Sequence, residues 1–408
     1  LKVLYVYADT PNELNCSKHN CLFPAEAINR LDEHSAKTIT MNDFIKNSKE
    51  TQQLCGEADI LIIERNFFSD TLTIMQFWRS RGKKIVAIFD DAYDIISKDN
   101  PAYYFWKLNQ KKMPVDSIAQ RIATTFKQSN RNDDKLWNNI PVEEREPLAK
   151  EALKILTDKI PLKINIMESK LPNITQFIWG LKMVNAVQVP SKMLKLDWKK
   201  YNKNIYHINN YIETEKYLNV APLHPHNGII IGWQGSLSHF ASFKESGVLA
   251  ALKSICNKYP QVKVMIGGDK KVFDAVDLPN DKKMYHNYVP EQQWPSLLKT
   301  FDIAIAPLAT EYDKRRSWVK VLEYLALKIP WAATRFPTYD SLIAHGELVI
   351  NSEGNWTRTL SDMVENINIY KNKANGTPYQ FALNQSYDKN IEKTLEIYQK
   401  IIDMPYKP

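Results

Sequence analysis

The sequence predicts an α/β protein of two parallel-sheet domains, with a helical insertion in the first. Three observations carry this expectation. Short β-rich apolar runs alternate with longer helical stretches, the pattern of strand–helix–strand units. The alternation breaks off at a Pro- and Gly-bearing stretch and then begins again. At 408 residues the chain also exceeds the size at which one hydrophobic core keeps growing.

In the first half, strands are expected at Val3–Ala8, Ile60–Glu64, Ile85–Phe89 and Ala186–Val189, with helices at Pro24–Asp32 and Leu72–Arg81 between them. Residues from about 107 to 175 are polar, poor in β-branched runs and rich in helix formers such as Val142–Lys159, which reads as the helical insertion. The second series runs through Ile229–Trp233, Val262–Ile266, Ile303–Ala306, Pro330–Ala333 and Leu348–Ile350. Between the two, Pro222, Pro225 and Gly228 interrupt both patterns. The division that follows is a first domain over 1–214, a linker over 215–227 and a second domain over 228–380. A last helix within 381–408, with Ile391, Leu395, Tyr398 and Ile402 at helical spacing, is expected to return to the first domain.

Composition narrows the class. Hydrophobic residues at 44% and charged residues at 25% are ordinary globular values, and no apolar run approaches the length of a membrane span. The chain opens on the apolar run Leu1–Ala8 without a basic leader, so the expected location is cytoplasmic, with peripheral membrane contact as the variant. Four cysteines, Cys16, Cys21, Cys55 and Cys256, lack zinc spacing, and no metal site is expected. The net charge of +8 suits an acidic partner: a nucleotide, a phosphate-bearing acceptor, an anionic membrane or a nucleic acid.

The most informative segment is 307–330. An apolar strand ends, a charged loop follows, and a helix begins near Ser317. At about 100° per residue, Ser317, Lys320 and Glu323 share one arc while Val319, Leu322, Leu325 and Ala326 occupy another. Lys314, Arg315, Arg316 and Lys320 crowd the helix start, where the macrodipole disfavours cations. An anion at that point would reconcile them: free N–H groups, a hydroxyl and an ammonium form a diphosphate cradle, with Glu323 placed for a ribose hydroxyl pair. The plainer alternative is a solvated loop followed by an i,i+3 surface pair.

The run Asp302–Leu308, then Lys314–Lys320, then Leu322–Pro330, resembles the donor-binding signature of retaining GT-B glycosyltransferases of the glycogen-synthase and mannosyltransferase type. Gly232-Trp-Gln-Gly235-Ser236-Leu-Ser238-His239 is similar to that family's glycine loop, Val262–Gly268 to its second donor-domain strand, and Asn209–Ile212 to the stretch before its linker. Pro24–Glu26, Asp59–Arg65, Phe89–Asp91 and Asn100–Pro101 are like those of bacterial and phage members, so the likeness spans most of the chain outside the insertion. It implies two Rossmann-like domains facing across a cleft, a UDP- or GDP-sugar donor, transfer with retention, and no metal. One departure is clear. The family pairs two glutamates eight apart; Glu323 matches the second, while Arg315 stands at the first, leaving Glu311 or Asp313 to take over from the same loop.

On this reading the expected catalytic residues are Lys320, Glu323, Arg315, Arg316 and Asp91. Donor contacts are expected from Gly235, Ser236, His239, Lys244, Gly267, Tyr288, Ser317, Lys320 and Glu323, and the acceptor cleft from His19, Asp90 and Asp91. Glycines at the carboxyl end of a strand let backbone approach a phosphate, although a G-x-x-G alone is as often a plain turn. Asp90, Asp91 and Asp94 follow a strand end and suit acceptor binding, helix capping or, with partners, a metal. His19 and His239 lie past strand ends, where a solvated loop histidine is the ordinary alternative. Lys192, Lys195, Lys199, Lys200 and Lys203 form a basic run around Trp198, suited to anionic lipid or nucleic acid, or simply a solvated helix face.

The expected activity is transfer of a sugar from a nucleotide diphosphate sugar to an unknown acceptor hydroxyl. Three alternatives come from other classes: a nucleotide-sugar epimerase, a non-catalytic nucleotide-sugar or glycan-binding protein suggested by Arg315, and a DNA-modifying glycosyltransferase suggested by the basic run.

Overall fold

A computed structural model describes residues 1–11, 16–68, 70–96, 98, 100, 102–107 and 173–405. The helical insertion expected at about 107–175 lies, apart from its two ends, outside the described residues.

Two six-stranded parallel sheets form the molecule. In the first, β1 (Lys2–Tyr7), β2 (Ser35–Thr40), β3 (Ile60–Glu64), β4 (Lys84–Ile88), β5 (Ala186–Val189) and β6 (Ile205–His207) lie in the order β2-β1-β3-β4-β5-β6. In the second, β7 (Ile229–Gly235), β8 (Val262–Gly268), β9 (Lys283–His286), β10 (Ile303–Ala306), β11 (Trp331–Thr334) and β12 (Glu347–Val349) lie in the order β12-β11-β10-β7-β8-β9. Each order reverses once, between β1 and β3 and between β7 and β10. Open α/β sheets hold ligands at such reversals, beyond the carboxyl ends of the strands.

The apolar runs become inner strands because both sheet faces are covered. Leu4 and Val6 of β1 pack on one side with Leu61, Ile63 and Ala87, whereas Val3 and Tyr5 pack on the other with Ile60, Ile62 and Val86. β2, β6 and β9 escape the sequence reading, and all three are edge strands. An edge strand has one hydrogen-bonded neighbour and one face half in water, so it carries no apolar run: in β2 only Ala36 and Ile39 are buried.

The last helix, Tyr387–Ile402, lies on the first sheet although it follows the second. Tyr387, Ile391, Leu395, Tyr398 and Ile401 join the core around Tyr5 and Ile62, and the Tyr398 hydroxyl donates to Gln188 at 2.9 Å. The stretch 215–227 is bonded along the second domain instead of running free. The Leu223 N–H donates to the Ser296 carbonyl at 2.8 Å, His224 N–H to Thr300 Oγ1 at 3.2 Å, and Tyr217 is buried in the second core. The strands of chain joining the two halves meet nearer Ile212, whose N–H donates to the Gln385 carbonyl at 3.1 Å. No helix among the described residues is long and apolar enough to cross a membrane.

Candidate active site

The loop after β10 is built on Asp313. Its Oδ2 accepts from Ser242 Oγ at 2.8 Å, the N–H groups of Ala309 and Thr310 at 3.0 Å each, and Thr310 Oγ1 at 2.9 Å. Its Oδ1 takes Arg316 Nε at 2.8 Å. Burial works against the charge, but Arg316 and the two backbone N–H groups hold this carboxyl below its ordinary range. Asp313 is thus fully engaged inside the loop. Glu311 is exposed and pairs with Lys314 and Arg315.

The helix begins at Val319, two residues later than expected, because Arg316 is still extended and Trp318 serves as its cap residue. Trp318 is anchored through Nε1 to the Asn210 carbonyl at 2.9 Å, and Ser317 Oγ accepts from the Val319 N–H at 3.3 Å. Val321, Leu322, Tyr324 and Leu325 are buried in the second core.

The expectation of a crowd of uncompensated cations is corrected by the carboxylates around them. Arg315 turns to the Lys192–Trp198 helix of the first domain, where its Nε meets Asp197 at 2.6 Å, and Ser191 Oγ donates to its carbonyl at 2.9 Å. Arg316 lies between Asp313 and, across the cleft, Asp91 at 3.7 Å, and also donates to the Ser238 carbonyl at 3.0 Å. Lys314 pairs with Glu311. Lys320 alone of the four makes no ion pair among the described residues. Its Nζ donates to the Gln234 carbonyl and lies 4.7 Å from the Trp233 ring centroid. Burial, with Arg316 adding repulsion, holds the ammonium down to about 7.

Glu323 was expected on an open face. It is buried instead, and its Oε1 accepts from Tyr217 OH at 2.7 Å and Trp294 Nε1 at 2.9 Å. Neither partner was legible in sequence, since they come from chain 106 and 29 residues away. No described donor reaches Oε2. Burial raises the carboxyl despite those two bonds.

β7 and β8 run in register so that Gln234 faces Gly267 and Gly235 faces Gly268. A Cβ on Gly235 would lie 2.7 Å from the Trp233 ring and 3.0 Å from Lys320 Nζ. The stricter position is Gly268, not Gly267: its φ is +105° and a Cβ would meet the Gly235 carbonyl oxygen at 2.3 Å. Gly268→Ala is expected to destabilise the protein by about 2–4 kcal/mol through backbone strain and overpacking, read as a fall in the urea midpoint at constant m. His239 follows β7, edge-on to Trp233 at 5.9 Å, and burial with Arg316 and Lys320 nearby keeps it neutral. Ser236 and Ser238 hydroxyls pair at 2.8 Å. Lys244 is exposed on the next helix and Tyr288 is 53% exposed beyond β9; no described contact joins either to this group.

Facing it, the ends of β1, β3 and β4 carry a buried polar network that the sequence reading assembled only in part. Arg65, with φ +31°, pairs with Asp9 and with Asp90 at 3.3 Å. Glu64 is fully buried and accepts from the Ala8 N–H at 2.8 Å, Asn20 Nδ2 at 2.9 Å and Ser17 Oγ. Asp90 also accepts from Tyr93 OH at 2.7 Å; burial opposes its charge, yet Arg65 holds its carboxyl low. Asp91 is raised, by burial and by Asp90, against the pull of Arg316. His19 Nδ1 sits 3.2 Å from the Tyr211 carbonyl, and burial lowers its pKa to about 4, so it is a neutral imidazole. Asp94 turns away to Trp198 Nε1 at 3.0 Å and Tyr201 OH at 3.2 Å. Among the described residues no group of acids, cysteines and histidines is arranged to hold a metal.

Two Rossmann-like parallel-sheet domains with facing polar groups define the GT-B fold. Solved structures share it. HepE from Anabaena, crystallised with UDP and glucose, superposes with a TM-score of 0.56 at 12% identity over 97% of this chain and 99% of its own. Sucrose-phosphate synthase from Thermosynechococcus elongatus gives 0.52 at 7% identity over 98% of both chains. A putative UDP-N-acetylglucosamine 2-epimerase from Listeria monocytogenes gives 0.50 at 9% identity over 98% of this chain and 96% of its own. No protein-family model and no curated protein matches the sequence. At such identities the likeness is one of fold.

Proposed function

We propose that this protein is a glycosyltransferase that moves a sugar from a UDP- or GDP-sugar to an acceptor hydroxyl, with retention at the anomeric carbon. The observation that carries the reading is Lys320: a shielded ammonium that makes no ion pair among the described residues, at the reversal between β7 and β10. A diphosphate would supply the missing charge. HepE, with which this chain shares its fold, was crystallised with UDP-glucose, which supports a nucleotide-sugar donor.

On this reading the leaving diphosphate is received by Lys320, by Arg316 and by backbone at Gly235 and Ser236, and charge stabilisation in a shielded cleft supplies most of the rate enhancement. Glu323 Oε2 receives the ribose, with Tyr217 and Trp294 fixing the carboxyl. Arg315 is a strut between the domains, so orientation of the sugar rests on His239, Ser238 and the Asp91–Arg316 pair. The acceptor enters from the side of His19, Asp90 and Asp91. The chain divides as 1–214, 215–227, 228–380 and 381–408, and the halves close about the crossings near Ile212 and Ser386.

The test is a panel of UDP- and GDP-sugars with hydroxyl acceptors, monitored for nucleoside diphosphate release. Release that depends on acceptor, with at least a tenfold loss in Glu323→Ala, is the expected result. A changed sugar still attached to UDP would mark an epimerase, a reading that the raised Asp91 carboxyl also suits. Binding without turnover of any donor would refute transfer.

A further inference from the structure

A second charged site lies at the opposite end of the first sheet. A cavity of about 510 Å³ opens beneath β4, β5 and β6, lined by Arg79, Lys182, Lys199, Lys200, Lys203 and Asn185, with no acid among the described residues of its lining. Asn185 and Asn204 directly precede β5 and β6, so the cavity sits at the amino ends of strands whose carboxyl ends face the cleft. The four residues of β5 alone separate the two by about 13 Å.

Helix ends account for part of this charge. Arg79, Lys182 and Lys199 stand at the C-termini of the Asp70–Ser80, Asn173–Met183 and Lys192–Trp198 helices, where cations are favoured. Each such end carries roughly half a negative charge, about 1.5 in all. Lys200 is paired with Asp94 at 3.5 Å. Arg79 is engaged already, and Lys182, Lys199 and Lys203 make no ion pair among the described residues, so three ammoniums face about 1.5 opposing charges. The excess is one to two positive charges in a concave space, which one phosphate group neutralises. Asn185 adds a donor, because its Oδ1 is taken by the Ile85 N–H at 2.9 Å while its Nδ2 makes no bond among the described residues.

We propose that this cavity binds a phosphate group, through Lys182, Lys199, Lys203 and the Asn185 amide, at a site separate from the interdomain cleft. The phosphate belongs to a soluble phosphate ester or to a lipid headgroup. The test titrates inorganic pyrophosphate calorimetrically into the full chain carrying Lys320→Ala, which removes the ammonium of the cleft. Sedimentation with vesicles of phosphatidylglycerol or phosphatidylcholine forms the second arm. Lys199→Glu/Lys203→Glu is compared with Lys37→Glu/Lys263→Glu, an equal charge change on exposed lysines elsewhere. A tenfold or greater loss of pyrophosphate affinity confined to the first pair supports the site with a soluble ligand. Phosphatidylglycerol binding lost only in that pair, without pyrophosphate binding, supports it with a headgroup. No binding in either arm, or equal losses in both pairs, overturns it.

Discussion

Lys320→Ala is expected to lower kcat/KM for the sugar donor at least tenfold, and a Lys320→Met variant, which keeps the aliphatic stem over Trp233, to lose nearly as much. The reason is that one charge is being removed from a shielded site, where it acts on the leaving phosphate far more strongly than it would in water. Thermal midpoints separate this from unfolding. In the free protein the ammonium is held down to about 7, so its charge opposes folding and Lys320→Met should unfold at or above the wild-type temperature. The pH dependence has a definite sign. As pH rises through about 7 free Lys320 loses its proton, whereas a bound diphosphate favours the ammonium. Donor binding therefore takes up a proton above that point, and Kd rises by up to about tenfold per pH unit. Calorimetry in buffers of different ionisation enthalpy reads the uptake directly; a flat profile matching that of Lys320→Ala would remove Lys320 from the site.

The largest stability effect is expected at Asp313. Asp313→Ala strips four donors of their common acceptor and leaves buried Arg316 with the Ser238 carbonyl and, as counter-ion among the described residues, only Asp91 at 3.7 Å, which should cost about 3–5 kcal/mol. The urea midpoint measures it, and Asp313→Asn should recover part, because it keeps the shape without the charge. Since the folded carboxyl lies below its unfolded value, the contribution is present above the ordinary carboxylate range and is lost as pH falls through the folded pKa. An Asp313→Ala protein as stable as wild type would show that the loop is held by something else.

Much of the loop and helix that follow β10 could be read from sequence because their signals are local. The apolar β10, the loop charges and the amphipathic 319–326 helix are contiguous in the chain, and Gly235 announces itself by following a strand. The helix starts two residues past the expected Ser317: the Ser317 hydroxyl accepts from the Val319 N–H, and Trp318, tied to Asn210, sets the turn. Glu323 was assigned to an open arc on helical geometry that holds. What that geometry could not reveal is that Tyr217 and Trp294 cover the arc.

The facing polar network of the first domain was harder for the same reason. Asp90, Asp91 and His19 stand out individually, yet the pairing of Asp9, Arg65 and Asp90 needs three strand ends brought side by side by the order β1-β3-β4.

By itself the sequence determined the two parallel sheets, the inner strands and the glycine-bearing strand ends, since periodicity and backbone freedom are properties of neighbouring residues. Only the tertiary structure decided which cations are neutralised. Asp197 reaches Arg315 across 118 residues of chain and Asp91 reaches Arg316 from the other domain, leaving Lys320 the one of the four with no ion pair among the described residues. The physical reason is that charge balance depends on distance through space and on water excluded by packing, neither of which is encoded along a local stretch of chain.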